Sequence, residues 1–233
     1  FGISWGGFNS IQMAMRNPPA LKAFVAVMAT EYLYEEDVHY IDGIMVAGDS
    51  WMMSNDLYNS LPGAPDFTMD EEWYENRFDV EPSVYKYMRQ QRDGPFWDRA
   101  SAKNKYDLIK IPGYHIGGWY DGYRNSLPRM IENVSAPVKA MIGPWDHDFP
   151  HNAALKPQVE WRHEAVRWFD QWLKQVDTGI LEEPKFAVYI RDYHEPDDSI
   201  EFIPGYWRWE NEWPPADLSK QTFYGHDNHY LSP

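Results

Sequence analysis

The sequence of 233 residues is long enough for one large domain or two modest ones, and its hydrophobic fraction of 43% excludes wholesale disorder. Its 21 Lys and Arg against 36 Asp and Glu give a net charge of −15, which argues against nucleic acid and anionic membranes as partners, because both attract clustered basic residues. Cysteine is absent, which excludes disulfides and thiolate chemistry, and no apolar run approaches the roughly 18 residues of a membrane span.

The N-terminal segment predicts a turn, a helix and a buried strand. The apolar residues Phe8, Ile11 and Met15 share one helical face, and a pair of prolines ends that helix. The continuous apolar run at 23–29 is typical of a strand buried on both faces of a parallel sheet. These elements predict the α/β fold class.

The stretch at 31–104 differs in composition, since acidic clusters alternate with large aromatic and Met residues. We predict it to be mostly helical and inserted between two strands. Its acidic runs, at Glu35 to Asp37 and at 70–72, are interpreted as solvated helix faces. Binding of a substrate amine is a less favoured use of the first run.

Strand-like segments return at 109–119 and 137–143, each ending near a glycine, and a helix is predicted over 125–134 between them. A longer helix is predicted over 158–177, with Gly179 as its C-terminal cap. One face of that helix carries an apolar stripe made of Trp161, Ala165, Trp168, Phe169, Trp172, Leu173 and Val176.

From residue 184 onward the pattern changes to short strands broken by turns. Three strands are predicted, at 186–190, 206–209 and 221–224, and they indicate the start of an all-β module. A complete β-sandwich takes about 100 residues and about 50 remain here, so we expect this module to be truncated.

Residues Gly2 to Gly6 fit the pattern G-x-S-x-G and precede the first predicted helix. A Ser on such a tight strand-to-helix turn has a strained backbone, and its neighbours must lack side chains. The turn presents the Ser4 hydroxyl at a helix N-terminus, where amide groups favour developing negative charge. By itself the pattern occurs by chance in about one chain in ten of this size.

The positions of two other polar residues strengthen the hypothesis of a nucleophilic Ser4. A Ser nucleophile needs a base and an orienting carboxylate, and in α/β-hydrolases the chain order is Ser, acid, His. Asp121 follows the strand at 109–119, and His147 follows the strand at 137–143. Because sites in α/β sheets form at the carboxyl ends of strands, the three residues are predicted to meet there.

Other roles for these residues remain open on sequence grounds. Asp121 precedes a glycine and could serve only as a turn residue. His147 and His151 lie in one loop that could hold a metal, although Pro150 prevents a helical pair of ligands. Asp146 and Asp148 are rival acids, but their closeness in sequence to His147 makes it awkward for them to face its ring.

Several segments are distinctive in both composition and order. They are Gly2 to Gly7, Asp37 to Tyr40, Gly117 to Gly122, Gly143 to His147, Arg167 to Lys174 and Trp213 to Ala216. Together they resemble the CocE/NonD hydrolases, the relatives of cocaine esterase, α-amino-acid ester hydrolases and X-Pro dipeptidyl peptidases. The resemblance extends over nearly the whole chain.

The resemblance implies an α/β-hydrolase core at 1–30 and 105–183, a helical cap at 31–104 and a C-terminal jelly-roll β-sandwich at 184–233. It also implies a Ser4 nucleophile, an orienting acid at Asp121 and a general base at His147. In the family the oxyanion hole pairs the amide after the nucleophile, here that of Trp5, with a Tyr hydroxyl from an earlier loop. That loop and the strands before the nucleophile are not in this sequence, so we expect the isolated piece to be inactive.

The sequence therefore predicts a serine hydrolase that cleaves small-molecule esters or amides through an acyl-enzyme, without a metal or other cofactor. An X-Pro dipeptidyl peptidase of the same family is one alternative. A non-catalytic carbohydrate-binding remnant is another, motivated by the 12 Trp residues. The compartment stays open between cytoplasmic and secreted, and a homo-oligomer is among the assembly states that the sequence allows.

Overall fold

The computed structural model describes residues 1–37, 40–46, 48, 66–81, 84–227 and 229–233. Its centre is a six-stranded sheet with the order β1-β2-β5-β6-β7-β8. Neighbouring strands from β1 to β7 pair in parallel, and β8 pairs antiparallel to β7. The strands of this sheet are β1 Gly2–Ile3, β2 Phe24–Val27, β5 Gly113–Gly118, β6 Val138–Gly143, β7 Phe186–Arg191 and β8 Gly205–Glu210.

Two small antiparallel hairpins lie outside the central sheet. They are formed by β3 Tyr40–Ile41 with β4 Ile44–Met45, and by β9 Tyr224–Gly225 with β10 Leu231–Ser232. The helices are α1 Trp5–Arg16, α2 Glu71–Trp73, α3 Val84–Met88, α4 Pro95–Asp98, α5 Ser126–Asn133 and α6 Arg162–Leu173, with a π-helical turn at Tyr74–Phe78 and a 3₁₀ turn at Tyr106–Leu108. In the described ranges none of these helices has the length and apolar character needed to cross a bilayer.

The core lies on both faces of the sheet, as the continuous apolar strands predict. Along β2, Phe24 and Ala26 pack with Ile11 of α1 and Met130 of α5. The alternate residues Val25 and Val27 pack on the opposite face, in the cluster that includes Ala165 and Trp168 of α6. Because successive strand residues point to opposite faces, both sides of β2 are covered by helices.

The described residues between β2 and β5 contribute no strand to the central sheet, and β2 pairs directly with β5. They form the β3–β4 hairpin and short helical pieces, with aromatic packing around Trp97 and Tyr40. These described residues lie in the chain between two neighbouring strands of the sheet, and their helices are shorter than the expected mostly helical segment. Parts of the predicted stretch, including 49–65, lie outside the described residues.

The structure corrects the role of two strands that the sequence assigned to the C-terminal module. β7 and β8 are hydrogen-bonded into the central sheet, so the sheet continues past the predicted boundary at residue 184. The physical reason is that β7 is buried on both faces. Phe186 and Val188 pack with Leu127 of α5, and Ala187 belongs to the cluster around Trp168.

Helix α6 is shorter than the predicted 158–177. The helix ends at Leu173, and the chain turns at Gln175, which has a φ of 57°. Gly179 has a φ of 69°, but it lies in a later turn and does not cap the helix. Leu173 and Val176, at the end of the predicted apolar stripe, are consequently exposed.

The helical layer can be tested on α5, which covers one face of the sheet. We expect Met130→Ala to lower the free energy of unfolding by about 3 kcal/mol, because this fully buried side chain would leave a cavity. Glu132→Ala, at an exposed position of the same helix, is the matched control and should have almost no effect. Urea denaturation followed by tryptophan fluorescence measures both, and equal losses would contradict the packing described for α5.

Candidate active site

Ser4 lies in the tight turn between β1 and α1, with φ 57° and ψ −123°. This is a backbone conformation that non-glycine residues rarely adopt. The turn is held by hydrogen bonds from the Ser4 amide to the Val27 carbonyl (3.0 Å) and from the Phe8 amide to the Ser4 carbonyl (2.8 Å). The Ser4 side chain makes no capping hydrogen bond to α1.

Two glycines near Ser4, Gly2 and Gly7, are required by close backbone contacts, whereas a Cβ on Gly6 would meet nothing within 4 Å. A Cβ on Gly2 would lie 2.4 Å from the carbonyl carbon of Gly6, and one on Gly7 would lie 2.7 Å from the Val27 oxygen. The first contact closes the turn and the second lets α1 approach β2. The G-x-S-x-G pattern therefore corresponds to the predicted strand-to-helix turn.

Asp121 and His147 are joined directly. The Nδ1–H of His147 donates to Oδ1 of Asp121 at 2.8 Å. Asp121 is only 4% exposed, whereas the His147 side chain is 44% exposed. Because the carboxylate holds the Nδ1 proton, the ring keeps Nε2 as its basic atom, and that atom can accept a proton from a hydroxyl.

Backbone contacts between the ends of β5 and β6 bring these two residues together. The amides of Trp119 and Tyr120 donate to the carbonyls of Gly143 (2.9 Å) and Trp145 (3.0 Å). A Cβ on Gly118 would lie 2.1 Å from the Trp145 oxygen, so only glycine permits this approach. The two loops consequently leave the sheet side by side.

The pKa of His147 is raised above its ordinary value. The largest cause is the hydrogen bond to Asp121, which stabilises the protonated ring, and partial burial opposes it. The charges of Asp121, Asp146 and Asp148 raise the pKa further. The ring is therefore a stronger base than a free imidazole.

The rival acids do not orient the ring. Asp148 accepts a hydrogen bond from the amide of Phe149 at 2.6 Å. Asp146 has a buried oxygen, Oδ1, without a hydrogen-bond partner among the described residues. Of the three acids near His147, Asp121 is the one bonded to Nδ1, and the other two act on the ring only through their charge.

Ser4 follows β1, Asp121 follows β5 and His147 follows β6, so all three lie at the carboxyl edge of the sheet. Among the hydrogen bonds of the described residues, none joins the Ser4 hydroxyl to His147. Trp5 is the first residue of α1, and its ring packs edge-on against Phe8 at 5.6 Å. Its amide thus lies at the N-terminal end of the helix, where the dipole favours an anion.

His115 and His151 have surroundings that differ from those of His147. His115 is buried within β5, as predicted, and burial lowers its pKa to about 3, so it stays neutral. His151 accepts a hydrogen bond at Nδ1 from the indole of Trp161 at 3.0 Å. The Nδ1 atoms of His147 and His151 are therefore both engaged by protein partners.

The structure corrects the interpretation of the first acidic run, since Glu36 and Asp37 are buried. Together with Ile41 and Tyr123 they line a pocket of about 200 Å³ that reaches Asp121 and His147. Burial is the largest cause of the raised pKa of Glu36. Glu35 follows the prediction in part, because it is exposed and pairs with Lys103.

A buried charge cluster next to this pocket was missed by the sequence analysis. Arg129 of α5 forms ion pairs with Glu31 and Glu36. Glu31 is 0% exposed and also accepts hydrogen bonds from Ser126 and Tyr106. No motif identifies this cluster, since its acids and its arginine lie about a hundred positions apart in the chain and look like ordinary surface residues.

Several known proteins are similar to this chain. The family model described as X-Pro dipeptidyl-peptidase (S15 family) matches residues 1–148. Two curated proteins from Mycobacterium bovis and Mycobacterium tuberculosis, each bearing the name "Putative serine esterase", are 28% identical over 127 residues. The match covers 52% of this chain and 18% of each relative.

Two solved structures show the same fold. A CocE/NonD family hydrolase from Staphylococcus aureus aligns with a TM-score of 0.70 and 16% identity, over 99% of this chain and 37% of that one. An α-amino acid ester hydrolase aligns with a TM-score of 0.57 and 18% identity, over 91% of this chain and 38% of that one. The chain thus spans less than half the length of the proteins that it matches.

The role of Asp121 in setting the basicity of His147 can be tested by titration. We expect Asp121→Asn to lower the pKa of His147, because the variant removes the carboxylate whose hydrogen bond raises it, while burial continues to lower it. Asp148→Asn is the control and should lower the pKa by less, because Asp148 contributes only through its charge. NMR titration of labelled histidine gives both values, and equal shifts would contradict the assignment.

Proposed function

The chain belongs to the X-Pro dipeptidyl-peptidase (S15) family, and on that premise we propose that it carries the catalytic centre of a serine hydrolase that cleaves carboxylic esters or amides. Ser4, His147 and Asp121 form the catalytic triad in this proposal. The observation that carries it is the hydrogen bond between Asp121 and His147, at the same sheet edge as the strained Ser4 turn.

The proposed reaction runs through an acyl-enzyme. His147 Nε2 takes the proton of the Ser4 hydroxyl as its oxygen attacks the substrate carbonyl, and Asp121 stabilises the imidazolium. When the tetrahedral intermediate collapses, His147 returns this proton to the leaving alcohol or amine. Water, deprotonated by the same ring, then releases the acid and restores Ser4.

The negative charge on the tetrahedral intermediate needs donors close to Ser4. The position of the Trp5 amide fits a donor of this kind, because Trp5 is the first residue of α1. The resemblance to the CocE/NonD hydrolases assigns the second donor to a Tyr hydroxyl from a loop earlier in the chain. In a complete oxyanion hole, loss of one donor costs about 100- to 1000-fold in rate.

The domain organisation is proposed on the same basis. The insertion at 31–104 acts as a cap over the site, and the burial of Glu36 and Asp37 beside His147 supports this role. The jelly-roll β-sandwich, predicted at 184–233, begins after β8, because β7 and β8 complete the sheet of the core. The β9–β10 hairpin is assigned to it in this proposal.

The substrate is proposed to be a small-molecule ester or amide. The carbohydrate-binding alternative has less support, since Trp97, Trp145 and Trp168 are buried and serve the core. The peptidase alternative uses the same triad and differs only in the group that the pocket accepts. It is kept as an alternative because the matching family is described as X-Pro dipeptidyl-peptidase.

The nucleophile is tested in the complete protein with a fluorophosphonate probe and a p-nitrophenyl ester. We expect Ser4→Ala to abolish both labelling and ester hydrolysis, because no other hydroxyl lies on the strained turn. Ser10→Ala is the matched control, since Ser10 lies on α1 and donates to the Gly6 carbonyl. Labelling or hydrolysis that survives in Ser4→Ala would remove Ser4 from its role.

The two enzyme alternatives are separated by their substrates. We expect the complete protein to have a higher kcat/KM for simple p-nitrophenyl esters than for X-Pro p-nitroanilides, since the proposal gives it no pocket specific for proline. A higher value for the X-Pro amides would assign it to the peptidases. Both activities should disappear together in Ser4→Ala.

A further inference from the structure

A second pocket, which the proposed mechanism does not use, lies at the same edge of the sheet as the triad. It has a volume of about 620 Å³ and is lined by the loop after β5, the end of β7 and the loop that follows β7, with Trp119, Tyr120, Tyr189, Arg191 and Asp192 among its residues. Trp119 and Tyr120 directly precede Asp121, and Arg191 is the last residue of β7. Because β6 and β7 run in parallel, Arg191 lies at the carboxyl edge.

Arg191 lies over the aromatic rings and has no carboxylate partner among the described residues. Its guanidinium carbon is 5.1 Å from the ring centre of Tyr120 and 5.8 Å from that of Trp119. Within the described chain it forms no salt bridge, whereas Arg208 on the neighbouring strand pairs with Glu210. Although the chain has a net charge of −15, an arginine without an acidic partner is available to bind an anion.

The aromatic platform under Arg191 is fixed to the strands that carry the triad. The indole of Trp119 donates to the Tyr189 carbonyl at 2.7 Å. The backbone amides of Trp119 and Tyr120 donate to Gly143 and Trp145, just before His147. The Tyr189 hydroxyl donates to Ile203 at 2.9 Å. A ligand in this pocket would therefore be held in a fixed position relative to His147.

The strand order indicates which part of a substrate reaches the pocket. Along the edge, β6 with His147 lies between β5 and β7, whereas β1 with Ser4 lies on the far side of β5. Arg191 and Ser4 are thus on opposite sides of His147. In acyl transfer the base gives its proton to the leaving group, so the leaving group departs on the side of His147.

We propose that Arg191, Trp119 and Tyr120 form a subsite for a leaving group that is flat and carries a carboxylate. This inference rests on the proposed serine hydrolase activity and adds the class of leaving group. The guanidinium pairs with the carboxylate, and the aromatic platform packs against the flat apolar part. Asp192 lines the same pocket and opposes the anion, which sets a limit on its affinity.

The test uses two acetate esters with the same biphenyl leaving group, one with a free carboxylate and one in which a methyl group removes that charge. They are 4′-acetoxybiphenyl-4-carboxylate and its methyl ester, in which the charged group is two rings away from the reacting bond. The two leaving groups therefore have similar reactivity. In the complete protein we expect the carboxylate ester to have a KM about tenfold lower than the methyl ester, with a similar kcat.

Four variants identify the source of this preference. Arg191→Met should remove it by raising the KM of the carboxylate ester about tenfold while leaving the methyl ester unchanged. Arg191→Lys should retain part of it, and Asp192→Asn should increase it. Arg208→Met is the matched control on β8 and should change neither ester, because Arg208 is paired with Glu210 and does not line the pocket.

Calorimetry of the product 4′-hydroxybiphenyl-4-carboxylate with Ser4→Ala gives a measurement that does not need turnover. Weaker binding in the double variant with Arg191→Met supports the subsite even if the proposed chemistry fails. Equal binding in both, or an unchanged ratio of the two KM values in Arg191→Met, overturns the subsite even when Ser4 proves to be the nucleophile. Absence of any Ser4-dependent hydrolysis overturns the proposed function instead.

Discussion

The candidate site depends on one close backbone approach, between Gly118 at the end of β5 and the Trp145 carbonyl after β6. A side chain at 118 would place its Cβ 2.1 Å from that oxygen, so the two loops can touch only because the residue is glycine. The contact continues through the amide of Tyr120, which donates to Trp145. As a result, Asp121 and His147, which lie slightly further along the two loops, face each other at hydrogen-bonding distance.

The same sheet places two histidines in opposite electrostatic conditions. His115 is enclosed within β5, and burial lowers its pKa so far that it stays neutral. His147 is partly exposed beyond the strand end, and its bond to a buried carboxylate raises its pKa. The difference follows from position, because the strand interior removes water from a side chain while the strand end leaves one face of the ring accessible. Only the second position suits a residue that exchanges protons with a substrate.

Much of the core could be predicted because its signals are local. The apolar run at 23–29 and the segment ending at Gly143 identify buried parallel strands, and the glycines around Ser4 identify a tight turn. The sequence could not show whether β7 belongs to the central sheet or to a module of short strands, because an apolar run of five residues fits both. The burial of Glu36 and Asp37 had no local signal at all. It depends on the folding of the insertion against α5, which sequence periodicity does not describe.

The buried cluster around Arg129 explains how the insertion can be coupled to the site. Arg129 bridges Glu31, just after β2, and Glu36, which lines the pocket beside His147. Glu36 also accepts the amide hydrogen of Asn125, at the end of the loop that carries Asp121. Two buried carboxylates share one guanidinium, and loss of any partner would be costly because it would leave a buried polar group without its hydrogen bonds. The part of the insertion that carries Glu36 and the loop that carries Asp121 are therefore held by contacts of the same carboxylate. Movement of either segment would have to break them.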